Sequence, residues 1–310
     1  MRMARTLVVV GIAFEILAGG AGAQTTNRVV TIHSLNAYDI LYVLSGGGLN
    51  AMALMQDDGV ALIDPLPAGW GSATLDAIST VSDQPVTTIV NIRASEEFLR
   101  ANLEFPDATT IVAHRNLAER VEAMGIFVGA SAALAPKTVV TDQMTLFDGP
   151  DRMDLHYFGP GRTDGDLVVV FPEKQVAYLG DLLPSKAAPV IDRLRGGSGV
   201  RLPATLAAVI AQIIGIRTVV PGREPPTVGA IGTERPGAIM PMTVTMSWKD
   251  LEEYADFARD FVTAARQAAT TGGAPSEAAT ALQLPERYEA YAMETAAAAV
   301  SAIQAELNGQ

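Results

Sequence analysis

The strongest constraint on this chain is a pattern that occurs twice: apolar runs of strand length broken by turn residues, then apolar runs alternating with stretches of helical period. In the first half, residues 29–35, 40–44, 51–55 and 60–63 are short apolar runs. Gly46-Gly47-Gly48 and Asp57-Asp58-Gly59 punctuate them, which predicts an antiparallel start built from hairpins. A helix is expected over 72–81, a strand over 86–90, a helix over 96–103, a strand over 110–113 and a helix over 116–125 that stops at Gly125. The second half repeats the scheme, with strands at 153–158, 167–171 and 176–179, a helix at 202–214 and a strand at 218–220. Strands followed by strand–helix alternation, twice, predict an α/β architecture of two similar halves, with two sheets face to face and helices outside. The triple glycine is a turn and not a phosphate loop, because no Gly-Lys-Ser/Thr follows it.

The C-terminal part reads as helical. Ser247 to Asp250 resembles a capping box with Asp in place of Glu. Leu251, Tyr254, Ala258, Phe261, Val262 and Ala265 then form one stripe at helical spacing, the pattern of a packing face. Gly272-Gly273 is expected to end that helix and Pro285 to start a shorter one. Residues 229–241 form a Gly/Pro-rich linker ahead of it.

Residues 1–23 have the form of a signal peptide: Arg2 and Arg5, a largely apolar run over 6–18, and Ala21-Gly22-Ala23 before Gln24. Glu15 interrupts the run, which is also shorter than the roughly 20 apolar residues a membrane span needs. The expectation is export to the periplasm or the medium, with residues 24–246 as the main domain and 247–310 as a helical extension packed on it. No membrane span is expected after cleavage. The formal net charge is −12 and the pI is about 4.7. That balance argues against a nucleic-acid partner, which needs a basic footprint. The hydrophobic fraction of 49% argues against disorder. There is no cysteine, so neither disulfides nor thiolate metal ligands are available.

Several segments carry a family resemblance. They are Asn50 with Asp57 to Asp64, residues 91–105, residues 108–114 followed by 116–121, Gly161 to Asp166, Gly180-Asp181, and Pro189 to Asp192 with Gly196-Gly197-Ser198. In order and spacing they resemble the metallo-β-lactamase fold superfamily, and the tail from Trp248 is similar to a periplasmic subgroup of it. The resemblance implies an αββα sandwich with its active site at the loop ends between the two sheets. It also implies two zinc ions held by histidines and a bridging aspartate, which activate a hydroxide for hydrolysis. This chain departs from that pattern at the ligands. Arg93, Ser95, Phe98, Arg162 and Arg223 stand at five histidine positions and Glu97 at an aspartate position; only Asp181 keeps the ligand type.

The substitutions decide the chemistry expected. Zinc takes imidazole, thiolate or carboxylate, usually at least three from the protein. A guanidinium is permanently protonated and has no lone pair to give. Phe98 offers nothing and a neutral Ser95 hydroxyl is a poor ligand, leaving Glu97 and Asp181 as weak metal candidates beside three cations. No cofactor is therefore expected. His33, His114 and His156 read as hydrogen-bonded structural histidines. Arg93, Arg162 and Arg223 are instead the candidate anion-binding residues, expected to converge with Glu97 and Asp181 on one pocket. Three guanidiniums against two carboxylates leave one net positive charge there. Three readings stay open: an internal ion-pair plug in the zinc position, a pocket for an anionic ligand or protein partner, extended by Arg193, Arg195 and Arg201, and a hydrolase that works without metal or with a degraded site. A metal-free hydrolase would need a base beside Ser95, or a raised pKa on Glu97 or Asp181, and arginines lower such values. The leading expectation is an exported pseudoenzyme, and the alternative is a hydrolase of an ester, thioester or lactam.

Overall fold

A computed structural model describes residues 28–35, 40–224, 244–270 and 274–309. The first sheet is built from β1 (Thr31–Ser34), β2 (Leu41–Gly46), β3 (Leu49–Gln56) and β4 (Gly59–Ile63), with the hairpin turns where the glycines and aspartates stand. After α1 (Gly71–Ser79) it continues through β5 (Val86–Asn91), α2 (Glu96–Arg100), β6 (Thr110–His114), α3 (Arg115–Met124) and β7 (Thr138–Val140). The second half comprises β8 (Gln143–Leu146), β9 (Met153–His156), β10 (Val168–Phe171), β11 (Val176–Gly180), α4 (Leu202–Gln212), β12 (Thr218–Pro221) and β13 (Met246–Ser247). The helical tail is α5 (Trp248–Thr270), α6 (Pro275–Thr280) and α7 (Ala296–Leu307).

The strands form two mixed sheets, β1 to β7 in chain order and β13-β12-β11-β10-β9-β8. The hairpin strands pair antiparallel, and β4 to β7 pair parallel through their helical crossovers. Strand alternation sorts the side chains into layers. Val169 and Phe171 of β10 and Val176 and Tyr178 of β11 meet Leu41, Met52, Leu54 and Ile63 of the first sheet between the sheets. Val168, Val170, Ala177 and Leu179 point the other way, onto α4, α5 and α7. On the outer face of the first sheet, Ala53, Val60 and Leu62 pack under Ala77 and Ile78 of α1. The fold is thus the expected αββα sandwich.

The tail follows its sequence in part. The capping box forms: Ser247 N and Oγ donate to Asp250 Oδ2 at 2.9 and 2.6 Å, and Asp250 N donates back to Ser247 Oγ at 3.2 Å. The α5 stripe is buried against α4 and the second sheet. Pro285 does not open a helix as expected. It heads a single 3-10 turn, Glu286–Tyr288, because Tyr288 and Tyr291 turn inward onto the Phe257 ring. The helices of this region are α6, with Pro275 in its first turn, and the alanine-rich α7. Strands β7 and β8 went unread because they have only three and four residues and β8 is partly exposed along its length. Residues 1–23, the linker 229–241 and Gly272-Gly273 lie outside the described residues.

The ends of β4, β5, β11 and β12 are brought to one edge of the sandwich, and one glycine sets how closely. Gly222 N donates to Gly180 O at 2.9 Å, and Gly222 O accepts from Asn50 N at 3.0 Å, so this residue stitches the two sheets together. A Cβ on Gly222 would lie 2.5 Å from the Gly180 carbonyl carbon. Gly222→Ala is expected to destabilise the protein by about 1–3 kcal/mol through this overpacking of backbone on backbone. Chemical denaturation of the variant checks it.

Candidate functional site

The site grows from three strand ends. Asp64 follows β4 in a left-handed conformation (φ 57°), Arg93 follows β5 and Asp181 follows β11. Arg93 is 1% exposed. Its Nε donates to Asp64 Oδ2, and its Nη2 donates to Asn50 O at 2.9 Å and to the Tyr178 hydroxyl at 3.4 Å. Tyr178 in turn donates to Asn50 O at 2.6 Å and lies 3.1 Å from Asp64 Oδ2. Asn50 is held by Ser45 Oγ at 2.7 Å and donates to Pro221 O at 3.0 Å. The Phe98 ring lies under the guanidinium, 4.0 Å from its carbon, as a cation–π partner.

Asp181 is the second anion, and its carboxylate is fully buried. Arg162 pairs with Oδ2, Arg93 Nη1 stands 3.8 Å from the same oxygen, and Arg223 Nε stands 3.5 Å from Oδ1. Exposure rises outward through the cluster, from 1% for the Arg93 side chain to 14% for Arg162 and 40% for Arg223. Protonation follows that crowding. Burial weakens the hold of Arg93 on its proton, but Asp64 and Tyr178 outweigh it and the net shift is upward. Arg162 and Arg223 shift down, first through burial and then through the Arg93 charge beside them. Burial, and after it the Asp64 charge, pushes the Tyr178 phenol well above its usual value.

The structure brings Arg93, Arg162, Arg223, Asp181 and Phe98 together. Glu97, expected among them, is exposed, and Ser95 is partly exposed at the start of α2 without capping it. Asp64 occupies the anionic place that the sequence reading gave to Glu97. Its signal was present: a charge closes the wholly buried run of β4, and a buried carboxylate needs a partner. Asn50 and Tyr178 carried no such mark. Ser95 and Glu97 face an open cleft beside Arg162, lined also by Glu96, Arg100, Asp192 and Arg195. Of the loop arginines, Arg195 pairs with Asp192, Arg193 stands 3.8 Å from Glu306, and Arg201 is exposed at the start of α4.

The loop that carries Arg162 is tightly laced. Asp166 accepts from Thr163 N and Oγ1 at 2.8 and 2.6 Å. Arg162 O accepts from Asp192 N at 2.8 Å, and Gly161 O accepts from Ser198 N at 3.0 Å. Gly197 lies so close that a Cβ would sit 2.0 Å from Arg162 O. Ser198 Oγ and Val200 N both donate to Glu306, so α7 anchors this loop. His114 caps α3 by accepting from Asn116 N at 3.2 Å, lies 3.0 Å from Thr141 O through Nε2, and stacks on Tyr157 at 4.0 Å. His156 stacks on Phe158, and His33 lies on β1.

Among the described residues no group of three or more histidine or carboxylate side chains is placed to hold a metal. The donor set at the Asp181 position does not fit zinc either. The one carboxylate there is shared by three guanidiniums, and a dication would enter a cluster already carrying three positive charges against those of Asp64 and Asp181.

No protein-family model and no curated protein matches this chain. Solved structures do. The metallo-β-lactamase IND-7 superimposes with a TM-score of 0.54 and 16% identity over 76% of this chain and 100% of that one. A metallo-β-lactamase from Pontibacter korlensis gives 0.54 and 15% over 74% and 99%. The stereoselective inverting sec-alkylsulfatase Pisa1 from Pseudomonas sp. gives 0.66 and 12% over 89% of this chain but 50% of that one. The chain therefore has the metallo-β-lactamase fold.

Two outcomes follow from this geometry. Arg93→Ala leaves the buried Asp64 carboxylate without its cation partner, while Asp181 keeps Arg162 and Arg223, and is expected to cost roughly 3–5 kcal/mol, read by denaturant unfolding. A loss under about 1 kcal/mol would mean that the cluster is solvated. Burial raises the Asp166 carboxyl from its ordinary 3.8 to about 6. The folded chain therefore holds this proton more tightly than the unfolded chain. The associated stability is full below the unfolded value and is lost as pH rises through about 6. Relative to Asp166→Asn, the native protein should lose roughly 2–3 kcal/mol between pH 4 and 7. Parallel stability curves for the two proteins would refute this.

Proposed function

We propose that this chain is an exported protein that keeps the metallo-β-lactamase fold without its dizinc hydrolase centre. In this reading it acts as a binding protein whose arginine-bearing pocket receives an anionic group of a small ligand or of a protein partner. The observation that carries the reading is the convergence of Arg93, Arg162 and Arg223 on Asp181. A guanidinium supplies positive charge to an aspartate as a metal would, but it cannot take up a water or polarise it through an open coordination position. Arg93 and Asp64 lock the floor of the pocket, while Arg162 and Arg223 keep part of their surface toward solvent. Clustered, partly desolvated guanidiniums favour carboxylate and phosphate oxygens. Nucleic acid is not proposed as a partner, given the net charge of −12.

The competing reading is a working hydrolase. The solved structures with this fold include enzymes named as metallo-β-lactamases and a sec-alkylsulfatase. Ser95, partly exposed on the cleft with its hydroxyl capping nothing, is the residue that reading would use. Pure protein lacking residues 1–23 is expected to turn over no ester, thioester, lactam or alkyl sulfate above the buffer rate. Turnover that Asp181→Ala abolishes would overturn the proposal.

A further inference from the structure

The cleft beside the arginine cluster carries charges of both signs, and they are not equally committed. Arg100 is tied to Glu96 at 2.6 Å, and Arg195 is tied to Asp192 within the same loop. Two lining charges differ from these. Arg162 is the deeper, its side chain 14% exposed; its partner Asp181 is shared with Arg93 and Arg223, in a cluster with one net positive charge. Glu97 is exposed on the cleft and has no ion-pair partner among the described residues. Only its backbone is engaged, its carbonyl accepting from Ala68 N at 3.2 Å.

A cation set deep and an uncommitted carboxylate further out specify more than an anion. A purely anionic ligand would meet Glu96, Glu97 and Asp192 on the lining, on a chain whose net charge is −12. A purely cationic one would meet Arg162 and the unbalanced charge behind it. A ligand with one carboxylate and one ammonium satisfies both groups, and being neutral overall it escapes the repulsion from the whole protein. We infer that the cleft binds a small zwitterion, carboxylate toward Arg162 and ammonium toward Glu97: the chemistry of a free amino acid or a short peptide. This rests on the reading of the chain as a binding protein and names the ligand class for that pocket. Ser95, two residues before Glu97 and on the same cleft, supplies a neutral donor and acceptor.

Isothermal titration calorimetry on the full chain tests the assignment. Glycine, glycylglycine and triglycine present the two charges at increasing separation, and acetate and ethylammonium present one each. At least one zwitterion should bind about tenfold or more tighter than acetate, the worth of one charge-assisted hydrogen bond. Glu97→Gln should bring that zwitterion to the acetate value without moving the melting temperature, because the side chain is exposed and unpaired. Equal binding of acetate and every zwitterion, or no binding by any of them, overturns the assignment. So does a zwitterion preference that survives Glu97→Gln. Binding heats do not depend on turnover, so the hydrolase assay alone decides the earlier reading and the zwitterion preference alone decides this one.

Discussion

Everything at the open edge of this sandwich depends on one buried guanidinium. Arg93 ties Asp64 and Asn50 of the first sheet to Tyr178 and Asp181 of the second, with the Phe98 ring beneath it. Three of these groups accept from its Nε and Nη2, whose donors lie in a rigid planar fork, and Phe98 and Asp181 are held by its charge. Such a cluster is a poor source of net stability, since taking charges out of water offsets most of their attraction. Its effect is conditional: with all members present the sheets are held in register, and with one missing the others are stranded in a dry interior.

That dependence explains the gradient from floor to mouth. Arg93 is buried and hydrogen-bonded through Nε and Nη2, the environment of a structural ion. Arg162 and Arg223 share a carboxylate that Arg93 already approaches, and both are pushed toward losing their protons by burial and by Arg93 itself. Like charges held close are relieved by an added anion, and only these two reach solvent. The loops supporting them are closely packed. Gly197 packs on the Arg162 carbonyl, Gly222 packs on Gly180, and Glu306 of α7 clamps the segment around Ser198. The helical tail therefore takes part in positioning Arg162, although none of its described residues lines the cleft.

Much of this was legible in the sequence because it rests on periodicity. The strand-length apolar runs, the capping box at Ser247 and the α5 stripe each correspond to an element that forms. Convergence of Arg93, Arg162 and Arg223 on Asp181 followed from the order of the family-like segments. What escaped was set by tertiary contacts. The three-residue β7 and four-residue β8 are too short to show a period, and Pro285 heads one turn because two tyrosines beyond it are drawn into the core. Glu97 was placed in the cluster by its position in a motif, whereas α2 turns it outward to solvent. Tyr178 belongs to a strand whose composition says only that it is buried, and Asp64, although it closes an apolar run, announces its partner only once the fold is known.

We have proposed that arginine charge stands where the family resemblance implies metal. Elemental mass spectrometry of the purified chain, after incubation with zinc and desalting, tests it most directly. No stoichiometric zinc is expected, because guanidiniums offer no lone pair and Asp181 is shared among three of them. About one or two zinc ions per chain would contradict it, and would mean that carboxylates and histidines rebuild a centre by displacing the arginines.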